Sequence, residues 1–133
     1  MPEHVHLLVL PMAADFDVPR YLKAVKQPFA FRVKQALAEQ GDPILERHTV
    51  WERPGVAGFR FWQEGGGYDR NLWTLKAVRA AIVYIHANPV RRGLCNRPTE
   101  WRWSRARIHS NPENPPEPGL PRVEAIPPHA FRE

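Results

Sequence analysis

Two histidines open the chain in a run, His4-Val5-His6-Leu7-Leu8-Val9-Leu10, that reads as a β-strand closed by Pro11. Alternate side chains of a strand face the same way, so both imidazoles project to one side and Val5 to the other. Neutral imidazole is a ready ligand for a divalent ion, and two of them on a rigid strand make half of a metal site. The bland alternative is a pair of surface histidines.

A second group sits far along the chain. The spacing predicts a helix over Trp73–Ala87 with a narrow apolar stripe of Leu75, Val78, Ile82 and Ile85. Tyr84 points away from that stripe, and Asn88 follows four residues later on the same side. Ala77, Ala80 and Ala81 surround them, a small-residue surface that admits close approach of another element. His86 faces elsewhere. Tyr84 also has a reading as an amphipathic residue at the core edge, and Asn88 as a cap before Pro89.

Other elements must position these groups. Val18–Glu39 has helical periodicity, with Asp17 as its cap, Pro19 in its first turn, and a break expected near Gln27 because Pro28 follows. Lys23, Lys26 and Lys34 share one side of it. Thr49–Glu52 and Phe59–Trp62 read as two short strands separated by Pro54-Gly55 and Gly58. Asn88-Pro89 is expected to interrupt the later helix, with a second helical turn closed at Gly93. Trp101-Arg102-Trp103-Ser104 then turns into a last short helical segment. From His109 onward seven of 25 residues are proline without apolar periodicity, a disordered or extended tail.

The 133 residues fit one domain. Charge is uneven: residues 1–108 carry 17 bases against 10 acids, and the tail carries two against four. The basic body is the part expected to meet a polyanion. Cys95 is the single cysteine, which excludes an internal disulfide and a cysteine-rich metal centre. Leu7 to Leu10 is too short an apolar run for a signal core or a membrane span. The expectation is therefore a soluble protein of the cytoplasm, nucleoid-associated when bound to DNA, with no membrane partner.

The opening strand resembles the metal-binding strand of the HUH nucleases, named for His-hydrophobic-His. More narrowly the chain is similar to the REP-associated tyrosine transposases. Tyr84-Ile-His-Ala-Asn-Pro-Val-Arg-Arg-Gly-Leu94 matches that family's signature almost residue for residue, and Arg60-Phe-Trp-Gln-Glu-Gly-Gly-Gly-Tyr-Asp-Arg70 resembles its preceding segment. Trp101-Arg-Trp-Ser104 resembles the segment that follows, so the likeness covers roughly residues 1–107. It implies an α+β fold, an antiparallel sheet with helices packed on it around a ferredoxin-like core. Residues 1–108 would be the catalytic domain and residues 109–133 the tail.

The resemblance also implies roles. Tyr84 is the nucleophile, and His4, His6 and Asn88 hold a divalent ion, Mg²⁺ or Mn²⁺ in preference to structural zinc. A phenol is a weak nucleophile until aligned and relieved of its proton, and a divalent ion can orient the scissile phosphate. The product is a 5′-phosphotyrosine link and a free 3′-hydroxyl, which can later attack that link and rejoin strands. The partner is single-stranded or hairpin DNA, held by Lys23, Lys26, Lys34, Arg91 and Arg92. Trp101 and Trp103 are core residues first and stacking platforms second.

Family members carry some tens of residues ahead of the His-x-His strand, so an N-terminal strand and helix are expected to be missing here. That leaves a second reading, a catalytically inactive DNA-binding remnant, and a third, a small metal-binding or interaction module unrelated to DNA.

Overall fold

Asp17 and Gly41 bound the first helix. The computed structural model describes residues 3–12, 14–113, 118, 119 and 127, and it groups into two compact units, Pro11–Arg70 and Met1–Leu10 with Asn71–Glu133. In the first of these, α1 spans Val18–Gln40, with the Asp17 side chain accepting from the Arg20 N–H at 3.1 Å. At its far end Gly41 adopts φ 60°, and the amides of Gly41 and Asp42 donate to the carbonyls of Ala38 and Leu37. This double bond pattern satisfies two carbonyls that a helix end leaves open, and it needs a left-handed residue that glycine adopts without penalty.

The expected break at Gln27 is absent, and α1 runs through Pro28. Proline withholds an N–H from the carbonyl four residues back and crowds it, at a cost of about 3 kcal/mol. Contacts on the same turn hold the helix against that cost. The Phe29 ring packs at 5.3 Å from Phe61 and 5.6 Å from Trp62. The Trp62 indole N–H donates to the Lys26 carbonyl at 2.9 Å, and the Lys26 ammonium donates to the Gly65 carbonyl at 3.1 Å.

A single helical turn, α2 (Ile44–Arg47), precedes the hairpin; the Asp42 carboxylate accepts from the Ile44 N–H at its start. β1 (Thr49–Arg53) and β2 (Val56–Phe59) pair antiparallel with Thr49 opposite Phe59 and Trp51 opposite Ala57. The second strand thus lies earlier than the expected Phe59–Trp62. Arg53 pairs with Val56 across the two-residue loop Pro54-Gly55, where Gly55 has φ 77°, and a loop that tight fixes where pairing starts.

The other unit departs from expectation at its start. Among the described residues the sheet has only β1 and β2, so His4–Leu10 has no ladder partner and is not a strand. Without a neighbour to take its backbone N–H and C=O groups, an extended run is not a sheet. Leu7, Leu8, Val9 and Leu10 are exposed rather than buried on one face. The alternation does survive: His4 and His6 are half-buried while Val5 is 59% exposed.

α3 spans Leu75–Arg91, capped by the Thr74 hydroxyl accepting from the Ala77 N–H at 3.2 Å. It too ignores its proline, continuing through Asn88-Pro89 where an interruption was expected. Both residues are buried, and α3 packs against the 3-10 turn Pro98–Glu100. Tertiary contact outweighs the local preference. Gly93, at φ 68°, closes the helix as expected, with Gly93 and Leu94 donating to the carbonyls of Val90 and Pro89.

The 3-10 turn is tied by Glu100, whose carboxylate accepts from the Asn96 and Arg97 amides and from Arg97 Nε. Residues 101–104 turn, and α4 (Ala106–Ser110) follows with Ser104 Oγ accepting from the Ala106 N–H. His109 and Ser110 therefore belong to a helix and not to the tail. The remainder of the proline-rich segment lies outside the described residues except 111–113, 118, 119 and 127. Trp101 is half-buried, but Trp103 is 66% exposed with the Arg102 guanidinium 5.1 Å over its ring, so core packing is not its role.

The described residues are thus α+β, a two-stranded antiparallel sheet with helices. No helix among the described residues is long and apolar enough to cross a membrane.

Candidate functional site

An unbroken α3 keeps Tyr84 and Asn88 one turn apart on a common face. His6 meets both. The Asn88 amide nitrogen is in hydrogen-bond contact with His6 Nε2, and the Tyr84 ring centre lies 5.7 Å from that of His6, edge to face. His4 completes the group: its Nε2 stands 3.0 Å from His6 Nε2, with ring centres 4.6 Å apart. The four residues paired by the sequence pattern are therefore brought together.

The donor set suits a divalent ion. His6 Nε2 has one lone pair and two nitrogen neighbours crowding it, His4 Nε2 and the Asn88 amide. An ion among them would be shared by all three once the amide turns to present its oxygen. Two ligand atoms about 2.1 Å from an octahedral ion and at right angles stand about 3.0 Å apart, the separation of the two ring nitrogens here. Burial, and then the neighbouring His4, hold the His6 imidazole below its ordinary pKa, which favours the neutral form that ligates. Among the described residues no group of three His, Cys, Asp or Glu comes together to hold a metal ion; this set has two histidines and an amide.

Accessibility differs across the site. Asn88 is only 8% exposed, whereas Tyr84 is 48% exposed and reachable by a large substrate. The Arg91 guanidinium lies 5.4 Å above the Tyr84 ring. Arg92 bonds the Glu3 carboxylate, which also lies 3.7 Å from His4 Nδ1. Glu3 is held below the usual carboxylate range first by its own backbone N–H and further by Arg92. Glu3 was not singled out from the sequence; its place beside His4 was the available signal.

The expected phosphate contacts divide accordingly. Arg91 and Arg92 flank the site, though Arg92 is engaged by Glu3. Lys23, Lys26 and Lys34 belong to the other unit. Lys26 is half-buried and bonded to Gly65, while Lys23 and Lys34 are exposed with no side-chain bond among the described residues.

No protein-family model, curated protein or solved structure matches this chain.

Proposed function

We propose that the chain is a single-strand DNA transposase of the HUH type, with one nucleophilic tyrosine and a ferredoxin-like core. The observation that carries this reading is the convergence of His4, His6 and Asn88 beside the exposed Tyr84. In this role His4, His6 and the Asn88 amide would hold Mg²⁺ or Mn²⁺, and the ion would polarise and orient the scissile phosphate. Tyr84 attacks that phosphorus, the bond to the 3′-oxygen breaks, and a 5′-phosphotyrosine link forms beside a free 3′-hydroxyl. Arg91, over the ring, offers a contact to the entering phosphate. Lys23 and Lys34 supply sequence-independent phosphate contacts.

The test is incubation with single-stranded hairpin DNA and Mn²⁺, followed by a denaturing gel. A covalent adduct is expected from the native chain and not from Tyr84→Phe. Its absence from the native chain, or its survival in the variant, removes Tyr84 as nucleophile.

A second reading, DNA binding without cleavage, draws on the lack, among the described residues, of a ladder partner for residues 4–10, the segment that carries His4 and His6. It predicts binding that weakens steeply with salt, and no adduct.

A further inference from the structure

His86 faces away from Tyr84 and meets a residue that sequence periodicity had assigned to the tail. Its ring centre lies 5.2 Å from that of His109 on α4, with the planes at 60°. His86 is half-buried and His109 exposed. Among the described residues, neither ring makes a side-chain hydrogen bond or ion pair; each has the other as its neighbour. Both helices are fixed independently of this contact, since α3 and α4 each pack on the 3-10 turn Pro98–Glu100.

We propose that His86 and His109 form a second metal site, open to solvent, that takes a zinc-class divalent ion and pins α4 to α3. The spacing accommodates two imidazoles on one tetrahedral ion with their nitrogens turned toward it. A ring nitrogen about 2.05 Å from zinc puts the ring centre roughly 3.2 Å from the ion, so two rings at the tetrahedral angle have centres about 5.2 Å apart. At a right angle the same rings would stand about 4.5 Å apart, close to the 4.6 Å between His4 and His6. Imidazole nitrogens without carboxylate or carbonyl oxygen suit zinc, cobalt, nickel or copper over magnesium, which keeps oxygen ligands. Water fills the remaining positions. Nothing in this site depends on Tyr84 or on DNA.

Cobalt(II) titration of the full chain reads geometry and stoichiometry together, because tetrahedral cobalt absorbs visible light far more strongly than octahedral cobalt. In a H4A/H6A variant one cobalt per chain is expected, with the intense tetrahedral bands, displaced by Zn²⁺ and lost on adding His109→Ala. In the native chain His109→Ala alone removes one bound ion and the intense bands, a comparison that stands even if the H4A/H6A chain fails to fold. A native stoichiometry and spectrum unchanged by His109→Ala overturn the site, as does a folded H4A/H6A chain that binds no ion. Either failure leaves DNA cleavage by Tyr84 untouched, since that is read from the covalent adduct.

Discussion

Replacing His6 and Asn88 singly and together measures how firmly the opening segment is joined to α3. Asn88 is 8% exposed, and its amide bonds His6 Nε2. Asn88→Ala removes one intramolecular hydrogen bond, worth about 0.5–1.5 kcal/mol net, and leaves the half-buried His6 with His4 as a remaining partner. His6→Ala is the harsher change. It strands the buried amide without a partner, at about 1–3 kcal/mol, and removes the ring that packs against Tyr84. Once Asn88 is absent that stranding no longer occurs, so the double variant should be more stable than the sum of the single losses by about 1 kcal/mol. Urea unfolding of the four proteins, without added metal, gives the coupling directly. Losses that add to within about 0.3 kcal/mol would show that His6 and Asn88 are not coupled in solution, and the reasoning would fail.

Two further outcomes follow from local geometry. Glu100 is held below the usual carboxylate range, first by the Arg97 side chain and then by the Asn96 and Arg97 amides. A depressed folded pKa gives stability that is present above the ordinary carboxylate pKa and lost as pH falls through the folded one. The stability gap between the native chain and Glu100→Gln, read from thermal melts at neutral pH and near pH 3, should therefore narrow in acid; a gap independent of pH refutes it. In the hairpin, Gly55→Ala should cost about 1 kcal/mol although nothing lies within 4 Å, because φ is 77° there. Gly58→Ala should cost less despite a clash at 2.6 Å, since the atom met is the end of the flexible Glu52 side chain. Melting temperatures that rank the two the other way would place the strain in contacts and not in the backbone.

Much of this was legible in residue types whose effect is local. Asp17 and Gly93 act within a turn of themselves, and the helix ends they set follow from them. The histidine alternation and the Tyr84–Asn88 step are equally local, and they bring the candidate site together. What periodicity does not carry is whether an extended run has a partner. His4–Leu10 has strand composition, but a strand is a pairwise object and no described neighbour pairs with it. The Glu3–Arg92 pair and the His86–His109 contact were invisible for a related reason: each joins segments whose approach is set by packing on other elements. Pro54-Gly55 is itself a complete two-residue hairpin loop, and it sets the start of β2 at Val56.

The prolines join fold to site. Local preference would end α3 at Ala87, since the residue before proline avoids helical backbone angles. Were that so, nothing would fix the direction of the Asn88 side chain relative to Tyr84. Instead the helix continues, and the four-residue step holds both side chains toward His6. Three contributions offset the proline's cost of about 3 kcal/mol: burial of Pro89, the bond from Asn88 to His6, and the paired carbonyl contacts that Gly93 and Leu94 close. Each lies within a turn of the site. The same burial that keeps α3 helical at Asn88 thus orients the amide, so a change that loosens packing at Pro89 reaches the candidate metal ligands without touching them.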